Sequence, residues 1–468
     1  MFRKLWIVLL MSVAATSASA QAATDATIAG TVTDSQQAAI LDAVVTVTDV
    51  ATGVVSTANT NNRGQYRTPP LKPGTYTLTV QSNGFRQSKE ANVILDIGSI
   101  REINAVLTPG EVVDTVNVQA TTEVLLQRSD STVGTVITTQ QIEELPLNGG
   151  STGRDYLQLA TLSAGTTSSA QGVSIGGQAG TQAASLLDGI DNNNQEILTS
   201  HSNQKEIIKP SVDAISEFKV VTTSYSAEYG RSSSGVVSVN LKSGTNQIHG
   251  SAYEFLRNDA VDAIPYFSKA NLPFKYNDFG GTLGGPIRKN RTFIFGDLEL
   301  FRLREQNTTY TIVPTDAQKS GQFSSAIYDP TSGFTVIGTT ITRTSTFSGN
   351  KIPTGRIDPV AQSLLKYYPE PNFVGAGSLA KDNYTYSPTS NANNYRWDAR
   401  LDEALTARQN TFVRYSSEQT RNPVTSSLPP LNGQYYAGSG GQSNNAQAFV
   451  VGYNVVLGSA LLASVRAG

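Results

Sequence analysis

The chain has 468 residues, more than one hydrophobic core usually organises, so it should hold several domains. Its formal net charge of −2 offers no field that would draw nucleic acid, the lack of cysteine excludes disulfide scaffolds and thiolate metal sites, and two histidines leave little for imidazole zinc sites. Charged residues make up 15% of the chain, against roughly 25% in ordinary soluble domains, and a surplus of Gly, Ser, Thr, Asn and Tyr favours strands and long polar loops.

The first 20 residues read as a secretory signal peptide. Arg3 and Lys4 form a basic start, Leu5 to Ala15 an apolar stretch, and Ala18-Ser19-Ala20 a cleavage site, so the mature chain should begin near Gln21. No later run of 18 apolar residues could form a transmembrane helix. A spanning barrel remains open, because alternation hides its apolar face from any hydropathy average.

Residues 24–109 read as a β-sandwich. Short strands are legible at Thr27–Asp34, Ala43–Asp49, Val54–Thr57, Gln65–Leu71, Gly74–Gln81, Ala91–Leu95 and Ile100–Leu107, with turns such as Asn61-Asn62-Arg63-Gly64 between them. Alternation points Tyr76, Leu78 and Val80 inward. The series Gly30-x-Val32-x-Asp34, Asn62-x-Gly64-x-Tyr66, Leu71-x-Pro73-Gly74-x-Tyr76 and Gly84-Phe85 resembles the carboxypeptidase regulatory-like family, which implies a transthyretin-like sandwich and no peptidase.

Residues 110–128 read as a linker. Within it Asp114, Thr115, Val116, Asn117 and Val118 resemble the TonB box, an extended peptide that adds a strand to a partner's sheet edge. On spacing alone the same residues would serve as a last sandwich strand or a plain β-linker.

Residues 129–246 read as an α/β plug. A helix is expected over Thr138–Leu145, with Thr138 or Thr139 as cap and Pro146 as stop. The run Leu145-Pro146-Leu147-Asn148, then Val173 to Gly177, then Ser185 to Asn192 with Asp188 and Gly189 at its centre, resemble the plug of TonB-dependent receptors. Phe218 to Val221, Ala227 to Gly230 and Ser234 to Leu241 continue that series in order.

The plug-to-barrel junction is expected around Glu228, Tyr229, Gly230 and Arg231, with Gly244 in the polar hinge that follows. Glu228 and Arg231 read either as a charge pair between plug and wall or as an ordinary structural pair. Gly172-Val173-Ser174-Ile175-Gly176 matches the nucleophile-elbow pattern, but poor helix formers follow it, so a glycine-rich plug turn is preferred. The oxygen-rich Asp188, Asp191, Asn192, Asn193 and Asn194 lack the EF-hand spacing and read as a plug loop.

Residues 247–468 read as the first part of a barrel. Ser251, Tyr253 and Phe255 share one face of an opening strand. Ile294, Leu298 and Leu300 oppose Asp297 and Glu299, while Phe293 and Phe295 break the pattern and suit an interfacial girdle. A loop from about Pro314 to Asn394 is too long for a buried connection, with a helix expected at Pro359–Tyr367. The cleanest alternation sets Tyr395, Trp397, Ala399 and Leu401 against Arg396, Asp398, Arg400 and Asp402, with a hairpin partner over Thr411–Ser417.

Phe279-Gly280-Gly281-x-Leu283-Gly284-Gly285-Pro286, Gly321-Gln322-Phe323-Ser324, Tyr328-Asp329-Pro330 and Tyr368-Pro369-x-Pro371-Asn372 resemble the Oar-like branch of TonB-dependent receptors. The resemblance implies a mostly β chain: a transthyretin-like sandwich, an α/β plug and the first strands of a transmembrane antiparallel barrel. A barrel of about 22 strands needs more residues than follow Thr245, so the chain is expected to be the N-terminal part of a longer protein.

The resemblance further implies an outer-membrane location, TonB with ExbB–ExbD as partners, lipid around the wall and an extracellular ligand, with oligosaccharides and peptides as candidate classes. It implies no enzyme activity, cofactor, metal or nucleic acid. A secreted β-rich adhesion or carbohydrate-binding protein is the alternative reading.

Overall fold

The computed structural model describes residues 24–110, 115–119, 132–147, 153–169, 172–194, 206–226, 229–230, 232–264, 271–337, 340–343, 345–422, 428–429, 442–458 and 461–468. The signal-peptide residues, Asp114, Asn148, Glu228 and Arg231 lie outside them.

Alternating side chains in the first module build a two-layer sandwich. Its strands are β1 (Thr27–Asp34), β2 (Val44–Asp49), β3 (Val55–Asn59), β4 (Gln65–Arg67), β5 (Gly74–Gln81), β6 (Gln87–Leu95), β7 (Ile100–Glu102), β8 (Ala105–Leu107) and β9 (Thr115–Gln119). One sheet places β1 between β4 and β7, with β8 also on β1; the other runs β3-β2-β5-β6-β9. Ile28 and Val32 meet Val45, Val47, Leu78, Val80 and Val93 in the core, and Tyr76 is buried among them.

Two details bear on the sequence reading. The expected last strand breaks into β7 and β8, because the Asn104 side chain accepts a hydrogen bond from Thr31 N–H and Tyr66 Oη donates to the Ile103 carbonyl. The linker segment Thr115–Gln119 is itself a strand, paired in parallel with Gln87–Ala91 at the edge of the second sheet.

The plug begins with β10 (Val133–Thr138) and α1 (Thr139–Glu144). Thr138 and Gln141 form a reciprocal capping box, and extended backbone at Leu145 ends the helix before Pro146. A 3₁₀ segment, Tyr156–Leu162, is capped by Asp155, and the hairpin β11 (Thr166–Ser169) and β12 (Gly172–Ile175) follows. Next come β13 (Ala184–Leu187), β14 (Ile190–Asp191), β15 (Ile215–Thr223) and β16 (Val236–Leu241), in the sheet order β10-β15-β16-β13-β14. Asp188 and Gly189 make the tight β13–β14 turn with φ of 49° and 81°. Ile137, Ile142, Tyr156, Phe218, Val220 and Val239 lead its core.

The remaining strands are long and antiparallel. They are β17 (His249–Asn258), β18 (Phe274–Arg288) and β19 (Thr292–Gln306). A folded insertion carries β20 (Thr309–Thr311), α2 (Asp316–Lys319), β21 (Phe334–Ile337), β22 (Thr340–Arg343), α3 (Pro359–Leu365) and β23 (Tyr384–Tyr386). Then come β24 (Thr389–Thr406), β25 (Gln409–Asn422), β26 (Gln442–Gly458) and β27 (Leu461–Ala467). Among the described residues, seven strands pair in the order β17-β18-β19-β24-β25-β26-β27.

Polarity in this sheet is inverted relative to a soluble domain. Along β24 the charged Arg396, Asp398, Arg400 and Asp402 are buried, while Trp397 and Leu401 are each 40% exposed. Along β19, Asp297 and Glu299 are buried and Ile294 and Leu298 are exposed. Phe293 and Phe295 are buried with the acidic residues and do not form an interfacial girdle. Their odd numbering places them on the inward face, where Phe295 joins the plug core.

Candidate functional site

Among the described residues, the plug meets the inward face of the long sheet through three charged contacts. The first is at the β13–β14 turn. Asp188 Oδ1 accepts from Leu241 N–H at 3.1 Å and from Arg400 Nη1 at 3.0 Å, and its Oδ2 lies 3.2 Å from Arg414 Nε. Arg400 also grips Asp402 at 3.1–3.2 Å and stacks 4.6 Å over the Phe412 ring. One plug carboxylate thus holds two arginines from β24 and β25 in a buried setting. Breaking such a pair on one side costs about 3–5 kcal/mol.

The second contact joins Lys209 to the wall. Its backbone N–H donates to Glu418 Oε2 at 2.8 Å, and Arg396 bridges Glu418 to Glu299. Its ammonium pairs with Asp155 at 2.7 Å. Burial would raise the Asp155 carboxyl, but Lys209 and the Leu157 amide outweigh it and hold the group below its usual range.

The third contact is Arg154. Its guanidinium lies 4.4 Å from the Tyr253 ring centre and 4.1 Å from that of Phe255, while pairing with Asp213 of the plug. Its backbone N–H donates to Asp278 on β18 at 3.2 Å. Gly280 leaves room for this arrangement, since a Cβ there would sit 2.7 Å from Tyr253 Oη. Inside the plug, buried Glu206 accepts from Tyr156 Oη and Ser185 Oγ, and desolvation raises its pKa.

The sandwich docks at the end of the sheet that carries the short turns. Asn246 Nδ2 donates to the Thr52 carbonyl at 2.6 Å, Thr57 N–H to the Ala407 carbonyl at 3.0 Å, and Lys72 pairs with Asp402 at 2.7 Å. The long insertion between β19 and β24 leaves from the opposite end. Short turns on one side and long loops on the other are the arrangement of outer-membrane barrels.

The sequence-selected residues divide between these places. Asp188 and Gly189 form the turn that carries the first contact. Leu147 packs on the plug core and Leu145 caps α1, so the Leu-Pro-Leu run is local architecture. Tyr229 packs with Tyr225 on Ala184, Val221 and Val236, within the plug. Gly244 lies between β16 and β17, where a Cβ would meet the Ile294 and Gly285 carbonyl oxygens at 2.4 and 2.6 Å.

Ser174 Oγ donates to the Gln178 carbonyl, and Gly176 and Gly177 turn with φ of 61° and 77°, so a turn follows this strand where a nucleophile elbow needs a helix. Asn192 bonds the Ile208 backbone on both sides, and Asp191 accepts from Asn193, which separates the oxygen cluster from Asp188. Arg154, Lys209 and Lys72 were missed, because single basic residues carry no pattern. Arg400 was visible only as one charge in an alternating row.

Family profiles match the chain as a carboxypeptidase regulatory-like domain over residues 27–108, a TonB-dependent receptor plug domain over 126–237 and an outer membrane β-barrel domain over 240–468. The chain thus carries the plug domain of TonB-dependent receptors, followed by an outer membrane β-barrel domain. It is 30% identical over 307 residues to the TonB-dependent transporter Oar of Myxococcus xanthus, a match spanning 62% of this chain and 28% of that relative. Similar solved structures include the outer-membrane transporter YddB of Escherichia coli, at 12% identity and a TM-score of 0.43 over 71% of this chain and 38% of that one. Another is the ferric enterobactin receptor PfeA of Pseudomonas aeruginosa, at 14% identity and a TM-score of 0.40 over 71% and 40%. The chain presents a sandwich, a plug and, among the described residues, seven paired wall strands, and its match to Oar spans under a third of that transporter's length.

Proposed function

We propose that the full-length protein is an outer-membrane receptor that imports a bulky or scarce ligand with energy from the inner membrane. The observation that carries this reading is the inverted polarity of the long sheet, apolar outside and charged toward a plug that those charges hold. An adhesin sheet facing water on one side would reverse that pattern. Outer-membrane lipid is the expected neighbour of Leu298, Trp397 and Leu401.

Asp114–Val118 is the segment to which TonB, working with ExbB–ExbD, would add a strand. Thr115–Gln119 supports this by lying at a sheet edge in extended form. The insertion between β19 and β24 exposes Tyr328, Tyr367 and Tyr368, aromatic surface suited to stacking on an oligosaccharide or a peptide. No covalent step enters this function.

Growth on pooled oligosaccharide or peptide fractions as sole carbon source tests it. A strain lacking the full-length gene and a strain whose gene lacks residues 114–118 are expected to lose growth on the same fraction. Wild-type growth of the second strain beside failure of the first would refute coupling through that segment.

A further inference from the structure

A chain of ion pairs runs from the sandwich through the wall to the plug. Lys72 of the sandwich pairs with Asp402 at 2.7 Å, Asp402 with Arg400, and Arg400 with Asp188 of the plug at 3.0 Å. A second strand of the same network joins sandwich Asp25 to Arg466 of β27, and Arg466 and Arg400 both face the Phe412 ring. We infer that the sandwich is an intramolecular clamp: docked on the short-turn rim, it holds the wall arginines in the arrangement that retains Asp188, and its departure loosens the plug.

The physical argument is competition for one guanidinium. Arg400 gives Nε and Nη2 to Asp402 and Nη1 to Asp188. While Lys72 neutralises Asp402, the two carboxylates can share Arg400. Without Lys72, the buried Asp402 depends on Arg400 alone and draws it away from Asp188. Losing Asp25 leaves the buried Arg466 charge uncompensated beside the ring on which Arg400 stacks.

The interface is built to separate. Its ion pairs and hydrogen bonds, such as Lys72–Asp402, Asp25–Arg466 and Asn246–Thr52, flank a cleft of about 70 Å³ lined by Asp25, Lys72, Tyr76, Arg400, Asp402 and Phe412 between sandwich and wall. Because β9 is paired to β6 of the sandwich, a partner pulling on that strand loads the sandwich before the plug.

The inference rests on the receptor reading, but its test reads the plug and not transport, so either can fail alone. Amide hydrogen exchange is followed by mass spectrometry in the full-length receptor, for wild type, Lys72→Ala/Asp25→Ala and Lys72→Arg. The double variant is expected to speed exchange at least tenfold in peptides covering 184–191 and 236–242, with β19 and β24 unchanged. Lys72→Arg should stay near wild type. Faster exchange confined to the sandwich and the 404–411 rim would overturn the clamp, as would no change anywhere. Acceleration throughout β19 and β24 would also overturn it, since the pairs would then support the wall itself.

Discussion

Glu217, on plug strand β15, accepts a hydrogen bond from Ile97 N–H of the sandwich. Burial there raises its carboxyl to about 8, with nearby Asp96 adding to the rise and the Ile97 amide and Lys219 opposing it. The docked form therefore keeps a proton that an exposed glutamate sheds near 4.5. Stability from this group is fully present below pH 4.5 and is lost as pH rises through about 8. Docking of the sandwich is expected to weaken over that window, and Glu217→Gln to flatten the dependence. Proteolysis of the interdomain linker as a function of pH measures both; a wild-type profile in the Gln variant would contradict the assignment. Nothing in the sequence pointed to Glu217, whose partner stands 120 positions away.

At the scale of the element, strand β24 was the most legible part of the chain, because a period of two survives without knowledge of its neighbours. The sequence set its charged face against its apolar one, and the structure adds that the charged face turns inward and answers a plug. The wall register explains the Arg396 ion pair, since Glu299 stands opposite it. Phe293 and Phe295 were misjudged for the opposite reason, since aromatics suggest an interface by type while their parity sends them inward. Parity won. Leu401→Lys places a charge on the apolar face and is expected to destabilise the inserted barrel by about 2–4 kcal/mol if Leu401 lies near the bilayer midplane. Urea unfolding of the full-length protein in lipid vesicles would measure this loss. An unchanged midpoint would mean that this face meets water.

In the whole molecule, the order sandwich, plug, wall was legible from motifs, and the contacts among them were not. Long-range ion pairs join residues with no shared pattern, as Lys72 and Asp402 show. The segment that resembles a TonB box is paired to the sandwich, which is the alternative that its spacing alone allowed. The account as a whole depends on strands β17–β19 and β24–β27 lying in a bilayer around the plug. Single cysteines at residues 395–402 of the full-length protein, in native outer membranes, test this directly with a water-soluble maleimide and a lipid-phase quencher of an attached fluorophore. Positions 397, 399 and 401 are expected to be quenched from the lipid and to react slowly with the maleimide, whereas 396, 398, 400 and 402 escape quenching. Fast aqueous labelling at 397, 399 and 401 without lipid quenching would contradict the receptor and favour a soluble β-rich binding protein.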